Sequence, residues 1–184
     1  MNIFYLHSDE KTCAEMHNNS HCVKMILEYS QLLSTAHRVL DGHETSVITD
    51  KGRKAKRWLL SDDRNDILYS ATHINHPSAI WVRQSHSNYI WLSKLLKALC
   101  REYTYRYGKI HKCESSGLVN KLFWNFPKNI PKGSFTQPTP AMPDIYKVVD
   151  DSIASYRNYY NGAKTHLAKW KNRNIPEWFQ EQLQ

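Results

Sequence analysis

Two residue types that act on sugars and carbonyls stand one helical turn apart near the start of this chain. They are Lys24 and Glu28, within SHCVKMILEYSQLLSTAHRVL. A spacing of four brings both side chains to the same helix face. A lysine amine stripped of its proton by burial is a nucleophile and forms a Schiff base with a carbonyl carbon. A neighbouring carboxylate can move protons or stabilise a sugar cation. His21 lies two turns before Glu28. With Gln31 and Thr35 these residues make a narrow polar stripe on a wheel of 3.6 residues per turn. Cys22, Met25, Ile26, Tyr29, Leu32, Leu33, Ala36 and Leu40 fill a broad apolar face, and Val23 and Leu27 extend it. A mostly buried helix with one polar stripe can line a cleft. The same pair also fits a solvated surface contact, and spacing alone leaves both readings open.

The histidines raise the question of metal. His17 and His21 are four apart, His73 and His76 three apart, and His7 precedes them. Asn18-Asn19-Ser20 reads as a helix break with a new N-cap, which spoils the first spacing. There is no His-Glu-x-x-His, and Cys13, Cys22, Cys100 and Cys113 form no Cys-x-x-Cys pair. No metal and no other cofactor is therefore expected. The cysteines read as free thiols of a reducing cytosol.

Charge points to a polyanionic partner. The chain carries 25 Lys and Arg against 17 Asp and Glu, a net charge of +8. Such an excess draws a protein toward phosphate backbones. Arg53, Lys54, Lys56 and Arg57 crowd around one turn. Rings and cations interleave in REYTYRYGKIHK, with Tyr105, Arg106 and Tyr107. They do so again near the C-terminus, at Arg157, Tyr160, Trp170 and Lys171. This is the composition of a surface that tracks a nucleic-acid backbone and stacks bases. The alternative is that the rings are core and the charges a solvated face. The expected partner is DNA, double-stranded with a flipped base; no protein partner is inferable. The N-terminus lacks the pattern of a secretory signal and no apolar run approaches the length of a membrane span, so a cytoplasmic protein without membrane contact is expected.

The elements that must position these groups read as a single, mainly α domain over residues 1–184, a compact helical bundle with one small β-hairpin. Residues 2–6 are an apolar strand or anchoring segment. Ser8 or Asp9 caps a short helix through His17, and a longer helix runs from about Ser20 to Leu40, stopped at Asp41-Gly42. Asp50-Lys51-Gly52 between β-prone runs predicts a hairpin. Pro77 sits at a helix N1 position. A strong helix spans about Ser85–Tyr107 and ends at Gly108, with weaker helices over Leu118–Phe126 and Asp151–Tyr160. Residues 127–143 hold five prolines and predict a long irregular loop, of the kind that is often functional or mobile.

Three blocks resemble the pyrimidine-dimer DNA glycosylases of the phage endonuclease V type. They are HCVKMILEYSQLL, HPSAIWVRQSHSNYIWLSKLLKALCREYTYRYG, and SYRNYYNGAK with WKNRNIPEWF. The resemblance implies a compact all-α fold. It implies that the α-amino group of a processed N-terminus cleaves the glycosidic bond of a damaged pyrimidine, assisted by a glutamate on the early helix, and that β-elimination then nicks the abasic strand. On that likeness Glu28 takes the glutamate's place, and His21, seven residues earlier, keeps the family's spacing. The processed N-terminus does not carry over. Asn2 is too large for ready removal of Met1, so the amine is that of Met1, and Lys24 is a substitute amine by position only. The expected function is thus a DNA glycosylase, with or without a lyase step. Arg38, Arg83 and Arg106 would hold phosphates and His76 would touch DNA. A non-catalytic nucleic-acid binder is the alternative. A metal-dependent hydrolase or oxygenase built on His7, His17, His21, His73 or His76 is the third reading.

Overall fold

Capping residues set the helix boundaries. The Asp9 carboxylate accepts from the Thr12 amide at 2.8 Å and starts helix α1, Glu10–Met16. Asn18 accepts from the His21 amide at 2.8 Å and starts α2, Asn19–Asp41. In this computed structural model, which describes residues 1–179, the chain then forms an antiparallel hairpin of β1, His43–Ile48, and β2, Lys54–Leu59. Its turn places Gly52 at φ +70°, a left-handed conformation that glycine adopts without a Cβ clash. After a single turn, α3 at Arg64–Ile67, come α4, Pro77–Gln84, and α5, His86–Tyr107. Ser85 caps α5, and Gly108 ends it at φ +63°. Short helices α6, Lys112–Ser115, and α7, Leu118–Trp124, lead to α8, Ser152–Ala163, with 3-10 turns at Asp144–Tyr146 and Thr165–Leu167.

The mainly α fold class stands, and the element boundaries lie within a few residues of those read from sequence. The single-turn helices and the 3-10 turns were not foreseen, because one turn is too short to show a period. Residues 2–6 pair with no strand among the described residues. They run extended through the core, with Ile3, Phe4, Tyr5 and Leu6 all buried. Helices α2 and α5 form the centre, with α1, α4 and α7 packed around them. Residues 127–143 are irregular, as expected, but closely tied down. The His86 amide donates to Pro131 O, the Ser85 hydroxyl to Ser134 O, and the Trp81 indole to Thr136 O. The segment is a strap across the α4–α5 junction. Among the described residues no helix is long and apolar enough to cross a membrane.

Two arginines hold the frame from inside. Arg38, on α2, donates to the carbonyls of Trp58, Asn65, Leu68 and Tyr69 and to the Asn65 side chain. It fastens the hairpin and the following segment to α2. Arg106, on α5, pairs with Glu102 at 2.6 Å and donates to Asn19 Oδ1 and Glu15 O. Arg173 joins the same carboxylate at 2.8 Å. Glu102 is held below the usual carboxylate range: burial works against this, but the hydrogen bonds and charges of Arg173 and Arg106 outweigh it.

Candidate active site

The amino-terminal segment is pinned at several points. Its Phe4 amide donates to the Tyr29 hydroxyl at 3.2 Å. The Phe4 ring stacks on His21 at 4.0 Å between centroids and meets Tyr156 and Tyr160 edge-on. Arg157 donates to Leu6 O through both Nε and Nη2. Four consecutive buried residues therefore fix where residue 1 lies. The Met1 α-amino nitrogen sits 4.0 Å from Glu28 Oε2. Lys24 Nζ approaches Glu28 Oε1 at 3.2 Å. One carboxylate, 14% exposed, thus lies between two amines of different kinds: the Met1 amine belongs to a residue with a 5% exposed side chain, while Lys24 is 69% exposed.

A third element bears on the same carboxylate electrostatically. His76 is the N-cap of α4, and its Nδ1 accepts from the Ser78 amide at 3.2 Å. A neutral ring in that bond carries its proton on Nε2. Burial lowers the His76 pKa, and the Met1 ammonium and His73 lower it further, against the opposing pull of Glu28. These groups thus share one electrostatic neighbourhood. The loop that carries them is tied to the polar stripe of α2. The Thr72 amide donates to Thr35 Oγ1 at 3.1 Å, and that hydroxyl faces Thr72 O. His73, at φ +49°, holds a strained conformation for a residue with a Cβ, and its ring meets the Thr72 hydroxyl at 2.7 Å. Arg83 fastens the other side by donating to Ile74 O at 2.7 Å. Along this stripe Thr35 is buried and holds the 72–76 loop, Glu28 is shielded and Lys24 is exposed. Val23 and Leu27, expected to extend the buried face, are instead exposed.

Several expected site residues lie elsewhere. The His21 ring is buried, bonded to the Tyr160 hydroxyl at 2.6 Å, and burial pushes its pKa down to about 3. It stacks on Phe4 within the core. Arg38, Arg106, Tyr160 and Trp170 were expected to meet DNA, but all four are interior. The two guanidiniums are taken up by protein acceptors, and the Trp170 indole donates to Met16 O. Arg83 and Arg157 each bind backbone carbonyls. Tyr107 is partly covered, with Lys171 over its ring, and Tyr105 is exposed. On the hairpin, Arg53, Lys54 and Lys56 are exposed and Arg57 is half-buried; Lys56 pairs with Glu44 at 2.7 Å. His17 uses both ring nitrogens internally, on Cys13 O and the Tyr29 hydroxyl. Among the described residues no three His, Cys, Asp or Glu side chains gather as a metal site.

Sequence reasoning missed the tie of the 72–76 loop to Thr35 on α2. The signal was His76-Pro77, in which a proline at N1 makes the preceding histidine an N-cap. The chain matches no protein-family model, no curated protein and no solved structure. A primary amine beside a shielded carboxylate, with a neutral imidazole in electrostatic reach, is a set suited to imine formation and to stabilising a sugar cation.

Proposed function

We propose that this protein is a DNA glycosylase that excises a damaged or modified pyrimidine through an amine nucleophile, followed by strand cleavage. The observation that carries this reading is the 4.0 Å approach of the Met1 α-amine to Glu28, held by a buried amino-terminal segment. The amine attacks C1′ of a flipped nucleotide. A bond forms from nitrogen to C1′, the glycosidic bond breaks, and the base leaves with the electron pair and takes up a proton. Glu28 stabilises the positive charge that grows on the sugar as the base departs. It then accepts the proton lost from the amine. The sugar ring opens to an iminium as O4′ takes the proton held by Glu28, the C2′ proton then passes to the Glu28 carboxylate, and the C3′–O bond breaks with its electron pair leaving on the phosphate. The His76 Nε2–H supplies a donor to the departing base. The exposed hairpin cations Arg53, Lys54 and Lys56 bring the duplex in.

Reduction with borohydride in the presence of an abasic duplex tests the amine. The expected result is a covalent protein–DNA adduct whose DNA-bearing peptide begins at Met1. Base release is then measured on duplexes carrying pyrimidine dimers, uracil or hypermodified pyrimidines. Glu28→Gln keeps the shape and removes the charge. It should slow release by roughly a hundredfold with DNA affinity unchanged, the signature of an interaction made in the transition state. Absence of both adduct and base release, with duplex binding retained, would make the protein a non-catalytic binder.

A further inference from the structure

A second surface, on α1, α5 and α7, has the makings of a binding site of its own. The outward face of α5 presents Lys94, Lys97, Arg101 and Tyr105, at steps of three and four. Phe123 and Trp124, at the end of α7, stand beside Lys97. The Lys97 ammonium lies 4.2 Å from the Phe123 ring centre and 5.3 Å from that of Trp124. Trp124 is 70% exposed, the largest ring that the described surface offers to solvent. The space between these helices is a groove of about 450 Å³. It continues, past a floor at Ala98, into a recess of about 220 Å³ that ends at Tyr105 and Arg173. There Arg173 sits 4.3 Å from the Tyr105 ring centre, and the Tyr105 hydroxyl donates to Asn172 O, which fixes the ring.

The charges along this groove are unequal. Its acids are engaged within the protein. Asp9 caps α1, Glu10 lies 3.8 Å from Lys94, Glu15 faces Arg173 at 3.3 Å, and Glu102 is clamped by Arg106 and Arg173. Lys11, Lys97 and Arg101 have no carboxylate partner among the described residues, and all three line the groove. The result is a channel with unpaired cations along its length and a ring-and-cation platform at each end. The platforms are eight helical residues apart, roughly 12 Å at 1.5 Å per residue.

We propose that this groove binds a single-stranded segment of nucleic acid, with phosphates along Lys11, Lys97 and Arg101 and a base stacked on Trp124. A cationic track with aromatic platforms is what single-strand binding needs, because every base has a face to stack and every nucleotide a phosphate to neutralise. A paired duplex hides the base faces that the Trp124 platform requires. An acidic peptide would satisfy the cations but leave the ring without a flat partner. The inference stands on this surface alone and does not depend on the chemistry at Glu28.

The test uses the full chain and a fluorescein-labelled twelve-nucleotide oligothymidylate, followed by anisotropy at low and moderate salt. Trp124→Ala should weaken binding roughly tenfold, within the range seen for loss of one stacked base. Arg101→Ala should weaken it less and flatten the salt dependence. Trp124 is exposed, so folding should survive; an unchanged circular-dichroism melt checks this. A 5-iodouracil version of the oligonucleotide, cross-linked by light, should mark the peptide containing Phe123 and Trp124. Wild-type affinity in Trp124→Ala would overturn the proposal. So would cross-links confined to the hairpin or to the peptides of Met1 and Glu28. Equal displacement of the oligonucleotide by a polyglutamate of the same charge would assign the groove to acidic peptides instead.

Discussion

Helices α2 and α5 lie against each other and each carries a glutamate four residues from a cation, yet the two pairs live in different surroundings. Glu102 and Arg106 on α5 are both buried, and Arg173 adds two further hydrogen bonds to the same carboxylate, from Nε at 3.1 Å and Nη2 at 2.8 Å. Glu28 on α2 is shielded, but its neighbours are an exposed lysine and a chain-terminal amine. A saturated carboxylate holds structure, because its lone pairs are occupied and its charge is balanced. A carboxylate with two amines nearby and few fixed donors keeps capacity for a reacting atom. Identical spacing thus produces a brace in one helix and a candidate catalytic group in the other. What separates them is the number of fixed donors, not the residue pair.

Breaking the brace should have the largest effect. Arg106→Ala removes one of the two guanidiniums that balance the buried Glu102 carboxylate, together with the donors to Asn19 Oδ1 and Glu15 O, and the expected loss is roughly 3 kcal/mol of folding stability, read from urea denaturation. A loss below about 1 kcal/mol would show that the α5 pair is as dispensable as a surface contact.

Acid separates the two regions next. The scaffold of the candidate site rests on neutral histidines. Burial lowers the pKa of His17 to about 4 and that of His21 to about 3. In the unfolded chain both take up a proton below about pH 6.5. Between that pH and their folded values the unfolded state binds more protons, so stability falls as pH falls. Two such groups cost about 3 kcal/mol by pH 5.5. The Glu102 pKa is lowered in the folded state, so its contribution persists above the ordinary carboxylate range and is lost only at lower pH. Thermal melts between pH 7.5 and 5 should show this decline, and His17→Gln should reduce its slope. A flat profile down to pH 5 would remove histidine support from the argument.

The smallest effect is expected at Lys24. Its ammonium is largely exposed, so Lys24→Ala should change stability by less than about 0.5 kcal/mol. The borohydride adduct should persist in this variant. Its disappearance would transfer the nucleophile from Met1 to Lys24.

Much of this was legible in the residues. Asp9, Asn18, Ser85 and Gly108 marked helix ends by cap chemistry, and Asp50-Lys51-Gly52 marked the hairpin. The Lys24–Glu28 pair was legible from spacing. Illegible was everything that depends on burial at a distance. Arg38 and Arg106 resembled phosphate ligands because a sequence shows an arginine's charge but not the carbonyls around it. The approach of Met1 to Glu28 depends on Phe4 reaching His21 and Tyr160, and nothing in the local pattern of residues 1–6 announces those partners. The strap at 127–143 showed its prolines, but its ties run to side chains of the α4–α5 junction, Ser85 and Trp81 among them.

The buried amino-terminal segment also orders events in time. Residues 3–6 are synthesised first, but their partners Tyr156, Arg157 and Tyr160 are among the last to be made. A growing chain can build α2 and α5 long before that. It can bring Phe4 to His21 and Tyr29 on α2, but it cannot complete the seat of Phe4 until α8 has been made. The Met1 amine therefore lacks its full setting until late in synthesis, and a chain cut short before α8 would carry Met1 and Glu28 without the contacts that arrange them.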